Sequence, residues 1–519
     1  MHVRHAAHME RPEGEAVALL MEVEEAWDIE DTRLQAEHAL VHEMHNGEDE
    51  LGFDSASQTF YCSIGSALEE WPQMLLTFRG EPGVQVAWID DYSYDFCADA
   101  VREGYRYELL TYTDTEYAYV GIVFTGLPIV TLHVENTEEL GEAYIPARAT
   151  VAGHGYEAID SAALVHLRGG GFDKGIDKPN YRLEFHRLSN KGKDKKSDLK
   201  VLGLESDSDW LLIGNAGDAS CVRNALGFDM WNQWNEDKDA FALLDSRMVE
   251  VFMQDEYMGL FQLLPRIDED DELDDAGGSP DTDVVARLIG MRFETGRPVS
   301  TISLPIDGCL ELRQSPKWMD EDDAFALFED YVRLNLPKGH EDYLEDEAFA
   351  ELALRKVDVY EMMSYYLYMN ACSLPYDNVK NNVYIWALKG KDGYTYTLSP
   401  WDMDSAFSPL FKDGSDSINM WMTLPVRMLE LNAGGCREIL WEIYRQKRET
   451  ILSDDAIYQW IAQMEEGINA SGAYLRETER WRGGAQMLNL AEISAHTISQ
   501  MYTIERHMQE VWPETEENE

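Results

Sequence analysis

Basic residues are scarce: 43 Lys and Arg stand against 98 Asp and Glu, a formal charge of −55 over 519 residues. A surface so acidic repels phosphate backbones and anionic lipid, since binding either needs a basic footprint, which argues against nucleic acid as a partner. The excess acid itself reads as a solvated surface. Cysteine is also sparse. The six, at positions 62, 97, 221, 309, 372 and 436, lie far apart with no CxxC spacing, so neither a zinc site nor a dense disulfide framework is indicated. Cys62 and Cys97 fall in one β-rich stretch, where they either pair or stay buried thiols. Long apolar runs are missing near the N-terminus. The run Ala16 to Val23 is interrupted by Glu22, which makes no membrane span and a poor signal peptide. The compartment stays open: cytoplasmic, or exported with the signal removed.

What is present describes a folded protein of two or three domains: 45% hydrophobic residues, with 14 Trp, 26 Tyr and 17 Phe. Residues 1–47 read as a polar helical segment. In a helix His38 and His42 would share a face, although no third metal ligand accompanies them. Residues 48–126 change to short runs such as QTFYCSI, VQVAWI and YAYVGIVFT between Gly, Pro, Asp and Asn turns, the pattern of a small β-sandwich-like domain. There Asp90 and Asp91 read as turn residues. From residue 127 strands continue, and a hairpin is expected to turn at Gln254–Asp255–Glu256. A helix is expected to begin near Asp218 or Ser220. The acidic run Asp268 to Asp275 lacks the ligand order of an EF-hand and reads as an exposed insertion. Past Glu321 the apolar residues recur at helical spacing, and residues 511–519 form a frayed acidic tail. The fold class is α+β.

Two stretches carry chemistry. The first, YDNVKNNVYIWALKGKDGYTYTLSPWDMD, runs from Tyr376 to Asp404. VYIW and YTYTLS read as strands joined by a GKDG turn, and a hairpin returns the chain to its starting edge. Asp377, Asn382, Asp402 and Asp404 would then meet at one edge, as oxygen donors suited to a hard cation such as Mg2+. The second is a strand ending at Arg168, followed by Gly169, Gly170 and Gly171, then Lys174 and Lys178 before the strand YRLEFH. Glycines let backbone N–H groups approach an anion, and Lys adds charge. The spacing is that of neither GxGxxG nor GxxxxGKS. The basic run Arg187 to Lys200 is either a solvated loop or a local positive field for an anion.

Asp followed five residues later by Asn, with a metal-type Asp beyond a hairpin, follows the order of kinase parts. The stretches VHLRGGGF, KPNYRLEF, LGLESDSDWLLIGNAGDASCVRNALG, VEVFMQDEYMGLFQL, YDNVKNNVYIW and SPWDMDSAF resemble the spore coat protein H-like (CotH) kinases, an atypical branch of the kinase fold. The resemblance implies a kinase-like domain over residues 127–510, with a β-rich N-lobe and a helical C-lobe. It implies that Lys178 contacts the phosphates of ATP, Asp377 is the catalytic acid or base, and Asn382 and Asp402 hold Mg2+. Arg168, Gly169 and Gly170 match the family's Arg-Gly loop, and Asp404 either assists the metal or braces its loop. Two positions depart from the family: Gly-Gly-Phe follows Arg-Gly where Asn or Ser is common, and Pro265 replaces a Glu. The implied activity is transfer of the γ-phosphate to Ser or Thr of a protein. The alternatives are nucleotidyl transfer from the same residues and a non-catalytic surface or coat scaffold. The resemblance also favours a secreted, cell-surface or spore-coat location.

Overall fold

Runs of β-branched and aromatic residues separated by turns form the first half of the chain, because such side chains fill a pleated, half-buried surface. The computed structural model describes residues 15–17, 19–20, 23–66, 71–72, 74–89, 97–169, 178–187, 195–236, 244–266, 279, 281–288, 310–375, 377–410 and 417–513. Asp90, Asp91, Gly170, Gly171, Lys174, the Asp268–Asp275 run and the tail beyond residue 513 lie outside the described residues. The fold is mixed α and β. It divides into two compact units, one of residues 1–221, 246–266 and 463–489, the other of residues 222–245, 267–462 and 490–519.

In the first unit a four-stranded sheet (order Glu15–Val17, Leu76–Gly80, Val41–Asn46, Asp49–Glu50) and a seven-stranded sheet share one core. Phe60, Phe78, Trp88, Leu109, Ile122 and Phe124 are among the buried residues that join them. The expected helix over residues 1–47 is corrected. Among the described residues of this stretch only Val23–Thr32 is helical, and His42 and His45 lie on the strand Val41–Asn46. The sequence LVHEMH buries Val41 and Met44 and turns its polar residues outward, and the strand is held on both sides by neighbours in the sheet. Cys62 and Cys97 are buried and do not pair in a disulfide.

A second core lies within an eight-stranded sheet. Strand Ile159–Arg168 pairs both with Ile145–Ala152 and with Asn180–Arg187, so seven of the strands close into a barrel and leave no free edge among themselves. Val165, Leu183, Phe185, Trp210, Val251 and Phe261 belong to the core of this sheet. Strands Arg247–Met253 and Glu256–Pro265 form the expected hairpin, turning through Gln254 and Asp255. Along the second of these strands lies the helix Ala473–Arg482, contributed from near the other end of the chain.

The second unit is built on helix Val359–Ala371, which is buried from Met362 to Ala371. Asp358 caps it by accepting the Glu361 N–H at 3.0 Å. Helices Cys436–Arg448 and Ala491–Val511 pack on it. A four-stranded sheet, ordered Leu310–Gln314, Val284–Leu288, Val383–Gly390, Gly393–Pro400, completes the unit. Helix Arg223–Trp234 begins later than Asp218 or Ser220. Asp218 instead accepts from the Ser220 N–H and hydroxyl at 2.9 and 2.8 Å, which holds a turn before the helix. No helix among the described residues is long and apolar enough to cross a membrane.

Candidate functional site

The hairpin forms as its sequence predicts. Val383–Gly390 and Gly393–Pro400 pair antiparallel from Val383↔Pro400 to Gly390↔Gly393, with Gly393 at φ +112° in the turn. The ends therefore meet. The Trp401 N–H donates to the Asn382 carbonyl at 3.0 Å, so Asn382 and Asp402 emerge side by side from one edge. Asp377 opens the helix Asp377–Lys380; its side chain is outside the described part. The next residue, buried Asn378, donates its side-chain amide to the carbonyls of Trp401 and Asp402 at 2.9 and 3.0 Å. That one side chain ties the helix bearing Asp377 to the loop bearing Asp402.

The loop Trp401–Asp404 alternates between anchor and presentation. Trp401 and Met403 are buried, Asp402 is exposed and Asp404 half-buried. Trp401 packs against Phe228 and Tyr384, with ring centroids 5.7 and 5.6 Å away. The Met403 N–H donates to Asn224 Oδ1 at 2.7 Å. Gly227 makes room for this side chain, since a Cβ there would lie 2.7 Å from Met403 Sδ. Arg223 donates to the carbonyls of Ala406 and Phe407 at 2.5 and 2.9 Å. Held this way, Asp402 adopts φ +52°, a left-handed backbone that a non-glycine residue keeps only when its surroundings enforce it. Asp404 accepts from the Ser405 hydroxyl at 3.0 Å. Asn382, Asp402 and Asp404 offer oxygen donors alone, a set that fits Mg2+ and does not select a softer metal.

In the first unit Arg168 ends its strand opposite Asn180, and Gly169 follows at φ +92°. Lys178 is 5% exposed. Its Nζ donates to the Leu260 carbonyl at 2.6 Å and to both carboxylate oxygens of Glu477 at 2.8 Å, and sits 4.7 Å from the centre of the Phe261 ring. Glu477 also accepts the Leu260 N–H at 2.8 Å. Cys221 lies 3.6 Å from the same carboxylate, and burial pushes its thiol up to about 12. Gly259, at φ +98°, admits Glu477: a Cβ there would stand 2.2 Å from its Oε2.

Sequence reading missed four residues that build these sites. Arg223 and Asn224 lie in the quoted CVRNALG stretch and Asn378 within DNVKNN, but nothing local discloses what they hold. Glu477 has no local signal at all; it is 299 residues from Lys178. Pro265 ends a strand of the barrel, and the acid that meets Lys178 comes from the late helix Ala473–Arg482.

His38 and His42 do not share a helical face: His42 lies on the strand Val41–Asn46, 3.4 Å from Glu81. Among the described residues Glu43, His45 and Glu50 converge. Glu50 is engaged by His133 and Arg148 at 2.7 and 2.6 Å, and Glu43 by His45 and Arg79 at 2.5 and 3.2 Å. Both carboxylates are thus already engaged by neighbouring side chains.

Residues 165–510, about two thirds of the chain, match the family model described as CotH kinase protein. The chain belongs to the CotH kinase family, whose membership points to a protein-kinase-like function. No curated protein matches it.

Proposed function

We propose that this protein is an ATP- and Mg2+-dependent kinase that transfers the γ-phosphate of ATP to Ser or Thr of a protein substrate. The observation that carries the reading is the tie between Asn378, Asn382 and the Trp401–Asp402 backbone, which draws together the segments bearing Asp377, Asn382 and Asp402. In this reading Asp377 accepts the hydroxyl proton and orients its oxygen for in-line attack. Asn382 and Asp402 hold Mg2+, and Asp404, hydrogen-bonded to the neighbouring Ser405, braces their loop or adds a ligand. Bound Mg2+ would neutralise charge on the β- and γ-phosphates. Lys178, oriented by Glu477, contacts the phosphates, as the Lys–Glu pair of protein kinases does. Arg168, Gly169 and Gly170 cover them. Residues 127–510 then form a kinase-like body preceded by a β-sandwich-like domain. The family name favours a spore-coat or other exterior location.

Incubation with ATP labelled separately at the γ and α positions tests the proposal. Label transferred from the γ position alone supports it. Label from the α position would replace it with nucleotidyl transfer, and no label from either would leave a scaffold.

A further inference from the structure

We propose that Arg476 is a positioning residue for Lys178, acting through its neighbour Glu477, and that the N-terminal β region serves as the clamp that holds it. The inference rests on the reading of Lys178 as a phosphate contact only for its functional consequence. The geometry stands apart from that reading.

Helix Ala473–Arg482 lies along strand Glu256–Pro265 through successive contacts. Arg480 Nε donates to the Tyr257 carbonyl at 3.1 Å and Trp481 Nε1 to the Met258 carbonyl at 2.9 Å, while Glu477 accepts the Leu260 N–H. Adjacent residues on a helix point about 100° apart, so Arg476 and Glu477 face different partners. Arg476 makes a fork to Glu250, Nε to Oε1 and Nη2 to Oε2, both at 2.8 Å, and Nη2 also donates to Thr125 Oγ1 at 2.9 Å and the Ser471 carbonyl at 3.2 Å. Glu250 is fully buried and accepts from the Tyr257 hydroxyl at 2.6 Å. Burial alone would raise its carboxyl, but Arg476 outweighs this and holds it below the usual range.

The N-terminal β region supplies the far wall. The Tyr61 ring stacks on Tyr257 at 5.5 Å and lies 5.9 Å from the Arg476 guanidinium. The Gly126 N–H donates to the Ser471 carbonyl at 3.2 Å. Gly472, at φ +70°, lets the chain pass so close that a Cβ would lie 2.2 Å from the Val101 carbonyl oxygen. A buried ion pair is a poor source of net stability, and removing one partner is costly. Arg476 Nη1 moreover finds no hydrogen-bond partner among the described residues. What such a fork provides over an apolar contact is direction. Here it sets the rotation of the helix, and that rotation aims Glu477 at Lys178.

The test uses the full chain with two variants. Arg476→Lys keeps the charge and loses the fork. The double variant Glu250→Leu with Arg476→Met removes the whole pair, a change that buried pairs often tolerate without loss of stability. Arg102→Ala, at an exposed contact with Glu466, is the control. The first readout is acetylation of Lys178 by a small succinimidyl ester without nucleotide, measured by mass spectrometry against Lys447, a buried lysine that donates to the Trp234 carbonyl. The proposal expects labelling of Lys178 to rise about tenfold in both folded variants, with Lys447 and the control unchanged. Unchanged Lys178 labelling overturns it, and so does an equal rise at both lysines, which marks general loosening.

The second readout is kinetic: KM for ATP should rise about tenfold with kcat within twofold. Selective labelling with an unaltered KM would uphold the positioning role and remove the phosphate-contact reading, so the two failures are separable.

Discussion

The Asp402 loop and the Lys178 pocket are assembled by opposite strategies. Around Asp402 the frame is local and the bracing is not: Asp377 to Asp404 is one helix, one hairpin and one loop, tied internally by Asn378 to Trp401 and Asp402 and by Trp401 to Asn382, while Arg223 and Asn224 hold the loop from a distant helix. Around Lys178 the decisive partner is remote, and the ion pair it makes is shut away from water, with side chains 4% and 1% exposed. Such a frame can present an exposed carboxylate on a strained loop, because the hairpin fixes the loop's ends and Arg223 and Asn224 brace its far side. A remote one needs a complete barrel and a docked helix before it exists.

The largest effects should come from the local device. Asp402→Ala is expected to abolish Mg2+-dependent turnover while circular dichroism and melting stay near wild type, since the side chain is exposed. Asp377→Ala should lower transfer by orders of magnitude yet keep nucleotide binding, because its role is in the chemistry. Equal loss of binding in both would erase the distinction between them. Glu477→Gln should behave the opposite way. It leaves the buried Lys178 charge without its counter-ion, so chemical denaturation should report a loss of about 3 kcal/mol together with weaker ATP binding. A variant as stable as wild type would show that the remote pair is dispensable.

The smallest effect concerns a second remote contact, Glu50 with His133 and Arg148, which sharpens the comparison because Arg148 is partly solvated. Burial pushes the Glu50 carboxyl up, but hydrogen bonds from His133 and Arg148 prevail and hold it at about 2, against 4.5 ordinarily. A depressed carboxylate stabilises fully above its unfolded value and loses that contribution as pH falls toward its folded value. Melting of wild type and Glu50→Gln should therefore differ above pH 4.5 and converge as pH approaches 2. A constant gap would count against the pair.

The same contrast explains what could be read in advance. Period and turn chemistry disclose the hairpin, since VYIW, GKDG and YTYTLS each state a local preference. The β-rich first half was legible for the same reason. Its closure into a barrel was not, because closure depends on Ile159–Arg168 choosing two partners. His38, His42 and His45 have helical spacing, but the strand is decided by burial of Val41 and Met44 against the neighbouring sheet. Glu477 sits in an ordinary-looking charged helix, YLRETERWR, and only the packing of that helix discloses its importance.

The path of the chain also imposes an order in time. The first unit recruits residues 463–489, so the basic side chain at 178 waits for an acid synthesised 299 residues later. At about 5–20 residues per second that delay is roughly 15 to 60 s. Once residue 265 is made the growing chain has all its barrel strands but still lacks this counter-ion, and a product cut short before residue 477 never acquires it.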